Sequence, residues 1–149
     1  MEKVCKIYVD SNVIINYCTG VREDVEVLGY IFRKRRRESL FTSSLAIVQT
    51  ISNLQTKKKS RKAFSKQETI TKLNSIINKF MVLDLTMNDV INGFGSDSED
   101  IEDGVHYSLS QKRKCDAILT NNVSDYLSFK EILRITPRSG LGSIKALIK

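Results

Sequence analysis

The stretch Val4-Cys5-Lys6-Ile7-Tyr8-Val9-Asp10-Ser11-Asn12-Val13-Ile14-Ile15 decides the fold. A short apolar run rich in β-branched residues ends in a carboxylate, then small polar residues, then a second apolar run. Strands buried on both faces of a parallel sheet read as such continuous runs. Ligands of open α/β sheets gather beyond the carboxyl ends of the strands, where the winding order reverses. Asp10 is thereby placed at a functional edge.

Outward from this strand, residues 12–17 read as a short helix stopped by Thr19-Gly20. Residues 21–37 form a helix with Val25, Leu28 and Phe32 inward, and the basic run 33–37 fills its last turn, as the helix dipole favours. Residues 39–42 are the second strand, and Ser43 or Ser44 caps a helix to Leu54 with Leu45, Val48 and Ile51 inward. A polar, basic loop covers 55–66. Ser65-Lys66-Gln67-Glu68 has capping-box spacing ahead of Ile70, Leu73, Ile76, Ile77 and Phe80. The third strand spans 80–85, and Thr86 caps a helix to Phe94. A further helix carries Ile101, Val105 and Leu109, followed by a strand at 115–120, a short helix at 126–131 and a last strand at 133–135. Strands alternating with helices predict a parallel α/β sheet covered on both faces.

The 149 residues are read as one domain. A net charge of +7, with pI near 9.4, favours a polyanionic partner, nucleic acid before membrane. Cys5, Cys18 and Cys115 stand apart with no C-x-x-C pair, and no apolar leader segment opens the chain; both features suit a reduced, cytoplasmic protein. Cys5 and Cys115 sit in apolar contexts and are expected in the core. No stretch approaches the ~18 apolar residues of a membrane span.

Acidic residues concentrate at three places in this basic chain. Asp10 ends the first strand, Asp100 and Asp103 lie nearly one helical turn apart, and Asp125 follows the fourth strand. The parallel topology lets them converge, with Thr120, Asn121 and Asn122 beside them. Crowded carboxylates repel unless a cation neutralises them. Hard oxygen ligands without a second His or paired Cys suit Mg²⁺ or Mn²⁺, the ions used to hydrolyse phosphodiesters. Asp116 begins the fourth strand, and at about 3.3 Å per residue Thr120 lies roughly 13 Å further along. Asp116 is therefore expected at the opposite edge, accepting backbone hydrogen bonds. His106, the one histidine, is read as structural. The basic runs supply Arg35, Arg36, Lys58, Lys112 and Arg113 as candidates for gripping RNA phosphates. Tyr17, Tyr107 and Tyr126 are candidates for stacking on bases.

Four segments in order resemble the PIN domain family, particularly the ribonuclease toxins of VapC type: Val9-Asp10-Ser11-Asn12-Val13, Ser43-Ser44-Leu45-Ala46-Ile47-Val48-Gln49, Asp100-Ile101-Glu102-Asp103-Gly104, and the run from Asp116 to Tyr126. The resemblance covers almost the whole chain. It implies a three-layer α/β/α fold on a five-stranded parallel sheet, Mg²⁺ or Mn²⁺, endonucleolytic cleavage of RNA, a cognate antitoxin and a homodimer. Asp10 and Asp103 would then bind the principal ion, with Asp100 and Asp125 completing the charge. Asn12, Gln49, Thr120 and Asn122 would orient water or ligands. Two positions depart from the family: Gln49 stands where it has its second acid, and Asn122 where it has another, with Asp125 three residues on as a substitute. Each change removes a negative charge and should lower metal affinity. The alternative reading is a PIN module that binds RNA or a protein without cutting. A receiver-like or nucleotide-binding domain lacks a Gly-rich loop after the first strand.

Overall fold

A computed structural model describes residues 4–148. Five strands, β1 (Ile7–Val9), β2 (Leu40–Ser43), β3 (Met81–Leu83), β4 (Ala117–Leu119) and β5 (Leu133–Ile135), pair in parallel in the order β3-β2-β1-β4-β5. The chain winds outward from β1 to β3, then returns to the other side of β1 for β4 and β5. The reversal falls between β1 and β4, whose register pairs Val9 with Leu119. Asp10 and Thr120 follow that pair directly, so both leave the sheet at the switch point.

Alternation along the strands builds two cores. Ile7, Val9, Leu40, Ala117, Leu119 and Ile135 point into one, under α1 (Ser11–Thr19), α2 (Arg22–Lys34), α3 (Ser44–Leu54), α4 (Lys66–Ile76) and α7 (Leu141–Leu147). Tyr8, Phe41 and Ile118 point into the other, under α6 (Ile101–Lys112), which α5 (Met87–Phe94) buttresses. The architecture is three-layer α/β/α, as expected. Gly93 and Gly104 let α5 and α6 close on each other, because a Cβ on Gly104 would strike Ser96 and stand 3.0 Å from the Gly93 carbonyl.

Several local readings change. The first strand starts at Ile7 rather than Val4, because Asp116 Oδ2 takes the Cys5 and Lys6 N–H groups at 2.9 and 2.8 Å. Asp116 thus has the expected structural role, whereas Cys5 is exposed and only Cys115 of that pair is core. Helix α2 ends at Lys34, since Arg35 is extended and its guanidinium donates to the Val4, Cys5 and Ile148 carbonyls. Its inward face is Val27, Leu28 and Ile31, and Val25 is exposed. In α3 the buried residues are Ala46, Thr50 and Leu54, and Val48 is 61% exposed. That helix is apolar on several faces, so periodicity alone could not choose. Ser65 and Thr86 both form capping boxes. Instead of a helix at 126–131 there is a 3-10 turn, Val123–Tyr126. Helix α7 has no counterpart among the elements expected from the sequence. Among the described residues no helix is long and apolar enough to cross a membrane.

Candidate functional site

Asp10 is the N-cap of α1, and five donors converge on its buried carboxylate. Oδ1 accepts from Ser11 N at 2.7 Å and Ser11 Oγ at 3.4 Å. Oδ2 accepts from Thr120 Oγ1 at 2.9 Å, Asn12 Nδ2 at 3.1 Å and the Tyr126 hydroxyl at 3.1 Å. Asn12 also donates to Thr120 Oγ1 at 3.3 Å and accepts from Asn121 N at 2.9 Å, tying β1 to the turn after β4. Asn122 contributes through its backbone, N to Thr120 Oγ1 at 3.0 Å, while its side chain is exposed.

Asp103, in the first turn of α6, is buried and lies within reach of the Asp10 charge. Burial pushes its carboxyl up to about 7, and the charges of Asp100, Asp10 and Asp125 add to the push. Its Oδ2 is buried without a hydrogen-bond partner. Asp100 is exposed and caps α6, its Oδ1 accepting from Glu102 N at 2.9 Å and Asp103 N at 3.3 Å. Asp125 is exposed in the 3-10 turn. The structure therefore brings Asp10 and Asp103 together and leaves Asp100 and Asp125 as nearby charges. Among the described residues, no group of three or more His, Cys, Asp or Glu is arranged to hold a metal ion. The donors that are present, oxygens only and one of them an orphaned buried carboxylate oxygen, suit a hard cation that keeps much of its water.

Gln49 faces the site from α3, with Oε1 2.8 Å from His106 Nε2. His106 is buried, and burial draws its pKa below the ordinary imidazole range although Asp10, Glu102 and Asp100 pull it up. Its Nδ1 is 2.7 Å from the Tyr8 hydroxyl, which is 2.7 Å from Ser43 Oγ.

Sequence reasoning missed much of this support. Tyr126, weighed as a base-stacking residue, is fully buried with its hydroxyl on Asp10; its place directly after Asp125 was the available signal. Tyr17 packs edge-on against Phe32, and Tyr107 stacks on Phe129. Asp24, in the first turn of α2, is buried and bonded by Asn121 Nδ2 at 2.7 Å, and burial raises its pKa.

Of the five proposed RNA-gripping cations, four are engaged within the protein or lie away from Asp10. Arg35 is committed to three backbone carbonyls. Arg36 lies just before β2, at the sheet edge opposite Asp10. Lys112 is paired with Asp89 at 2.5 Å and the Asp84 carbonyl at 2.8 Å. Arg113 lies over the Phe41 ring, its carbonyl bonded by Lys6 near the start of β1. Lys58 is exposed, in the turn that bridges back to Arg61 after α3.

No family model and no curated protein matches the sequence. Solved structures do. A toxin–antitoxin complex from Klebsiella pneumoniae is 12% identical over 89% of this chain and 98% of that one, with a TM-score of 0.65. VapBC2 from Rickettsia felis, bound to a DNA fragment from their promoter, is 13% identical over 87% and 98%, with a TM-score of 0.60. VapC20 from Mycobacterium tuberculosis, a Sarcin-Ricin loop cleaving toxin, is 12% identical over 76% and 87%, with a TM-score of 0.58. The fold is PIN-like. At these identities the likeness is one of fold, and the activities and partners named belong to those proteins.

Proposed function

We propose that this chain is a metal-dependent endoribonuclease of PIN type and the toxin of a toxin–antitoxin pair. The observation that carries the reading is the approach of two buried acids, Asp10 and Asp103, at the sheet's switch point, with Asp103 Oδ2 left unpartnered. Asp10 and Asp103 would hold Mg²⁺ or Mn²⁺, with Asp100 and Asp125 adding charge around them. Such an ion, when bound, lowers the pKa of water and offsets the charge developing on a phosphodiester.

The chain's own residues do the rest. Thr120, Asn12 and Tyr126 lock the Asp10 carboxylate in one orientation, so little reorganisation is left for the moment of reaction. Asn121 and Asp24 brace Asn12 from behind. Water attacks the phosphorus in line, the P–O bond opposite it breaks, the departing ribose oxygen takes up a proton as the attacking water loses one, and no covalent enzyme intermediate forms. The excess positive charge, with Lys58 on the hairpin after α3, draws in the RNA backbone. A protein antitoxin, a homodimer and a cytoplasmic location complete the proposal.

The competing reading is a PIN module that binds RNA or a protein without cutting. It is favoured by the absence, among the described residues, of three clustered ligating side chains. Incubating the purified protein with total RNA and Mg²⁺, Mn²⁺ or chelator, and mapping cut ends, separates the two. Ion-dependent cuts that vanish in Asp10→Asn support the nuclease; RNA retained but intact under every condition supports the module.

A further inference from the structure

Gln49 stands where the resembling family carries an acid, and its surroundings give it a different task. Its carbonyl oxygen lies 2.8 Å from His106 Nε2. The same Nε2 faces Asp10 Oδ1 at 3.6 Å. A ring-nitrogen lone pair aimed at a carboxylate would be repelled, whereas an N–H is attracted, so Nε2 carries the hydrogen. Nδ1 is then the acceptor and the Tyr8 hydroxyl its donor at 2.7 Å. Tyr8 in turn receives the Ser43 hydroxyl hydrogen at 2.7 Å, while Ser43 Oγ accepts from Ala46 N at 3.1 Å. Ser43, Tyr8 and His106 are all buried, so solvent cannot reorder these donors. Gln49 Oε1 is thereby committed to His106, and its amide nitrogen points elsewhere. Among the described residues that nitrogen has no hydrogen-bond partner, and it is not sealed from solvent.

We propose that Gln49 is a phosphate-binding residue rather than a metal ligand: its amide N–H group, oriented by His106, donates to a non-bridging oxygen of the RNA phosphodiester beside Asp10. The inference rests on the nuclease reading and names how the same site receives its substrate. A carboxylate at this place would repel a phosphate unless a cation intervened. A neutral donor attracts it directly and asks less charge of the ion. His106 is a positioning residue, acting through Gln49.

Three measurements test the inference. His106 is the only histidine, so ¹⁵N spectra show one imidazole. The Nε2–H tautomer is expected; the Nδ1–H tautomer overturns the assignment. Gln49→Met keeps the length and removes the donor. It should leave Mn²⁺ affinity in the absence of RNA unchanged and raise the KM for RNA about tenfold, the loss of one hydrogen bond to a charged group. Gln49→Glu should tighten Mn²⁺ yet raise KM further. A Gln49→Met protein with weakened Mn²⁺ binding, or with an unchanged KM, overturns the proposal. If the wild type fails to cut RNA at all, the nuclease reading fails separately. RNA binding then decides for Gln49: weakening by Gln49→Met supports it, and no change overturns it.

Discussion

The hydroxyl of Tyr126 donates to Asp10 Oδ2 at 3.1 Å from a fully buried ring, and the buried Asp103 lies close enough for its charge to act on both groups. That hydrogen bond fixes Asp10, at the end of β1, where Asp103 approaches it from α6 in a different layer of the fold. The hydroxyl's one hydrogen goes to Asp10, and Asp103 Oδ2 is left buried without a hydrogen-bond partner.

Tyr126→Phe removes that hydrogen bond while Thr120 and Asn12 keep hold of Asp10. Stability should fall by about 1–2 kcal/mol, read from urea denaturation. Cleavage should weaken without being abolished, in contrast to Asp10→Asn. Cleavage unchanged in Tyr126→Phe would show that this hydrogen bond does not organise Asp10.

The raised pKa of Asp103, about 7, makes stability depend on pH. The native carboxyl holds its proton through a range where the unfolded one has lost it, so stability is full below the unfolded pKa of roughly 4 and declines as pH climbs through 7. In chelator, Asp103→Asn should raise Tm at alkaline pH, and the gain should vanish in acid. A Tm difference independent of pH would mean that Asp103 ionises freely.

Asp116 offers the opposite separation of stability from function. It accepts the Cys5 and Lys6 N–H groups at 2.9 and 2.8 Å, at the edge away from Asp10. Asp116→Ala should cost about 1–3 kcal/mol of stability, yet the folded fraction should cut RNA at the wild-type rate. Loss of activity per folded molecule would place Asp116 in the chemistry.

Gly104→Ala should push α6 away from α5, because the new methyl meets Ser96 and the Gly93 carbonyl. Asp103 is its neighbour and would move with it. A loss of about 1–3 kcal/mol with reduced cleavage is expected; a wild-type melting curve would mean that the helices adjust freely.

What could be read in advance was what local chemistry dictates. The β1 run ending in Asp10, the capping boxes at Ser65 and Thr86, and the structural placing of Asp116 each follow from residues a few positions apart. The rest depended on distant partners. The buried face of α3 was ambiguous because apolar residues surround it, and Arg35 resembled any surface cation until the Val4 and Cys5 carbonyls met it. Tyr126 and His106 carry polar tips on bodies that suit the core, so their attachment to Asp10 and Gln49 is visible only once β1, α3, α6 and the turn after β4 meet.

The central claim is that Asp10 and Asp103 together hold a divalent ion, and Mn²⁺ titration by calorimetry tests it most directly. The wild type should take up the ion at millimolar concentration or below, with uptake lost in both Asp10→Asn and Asp103→Asn. No uptake by the folded wild type, or undiminished uptake by either variant, would contradict the account.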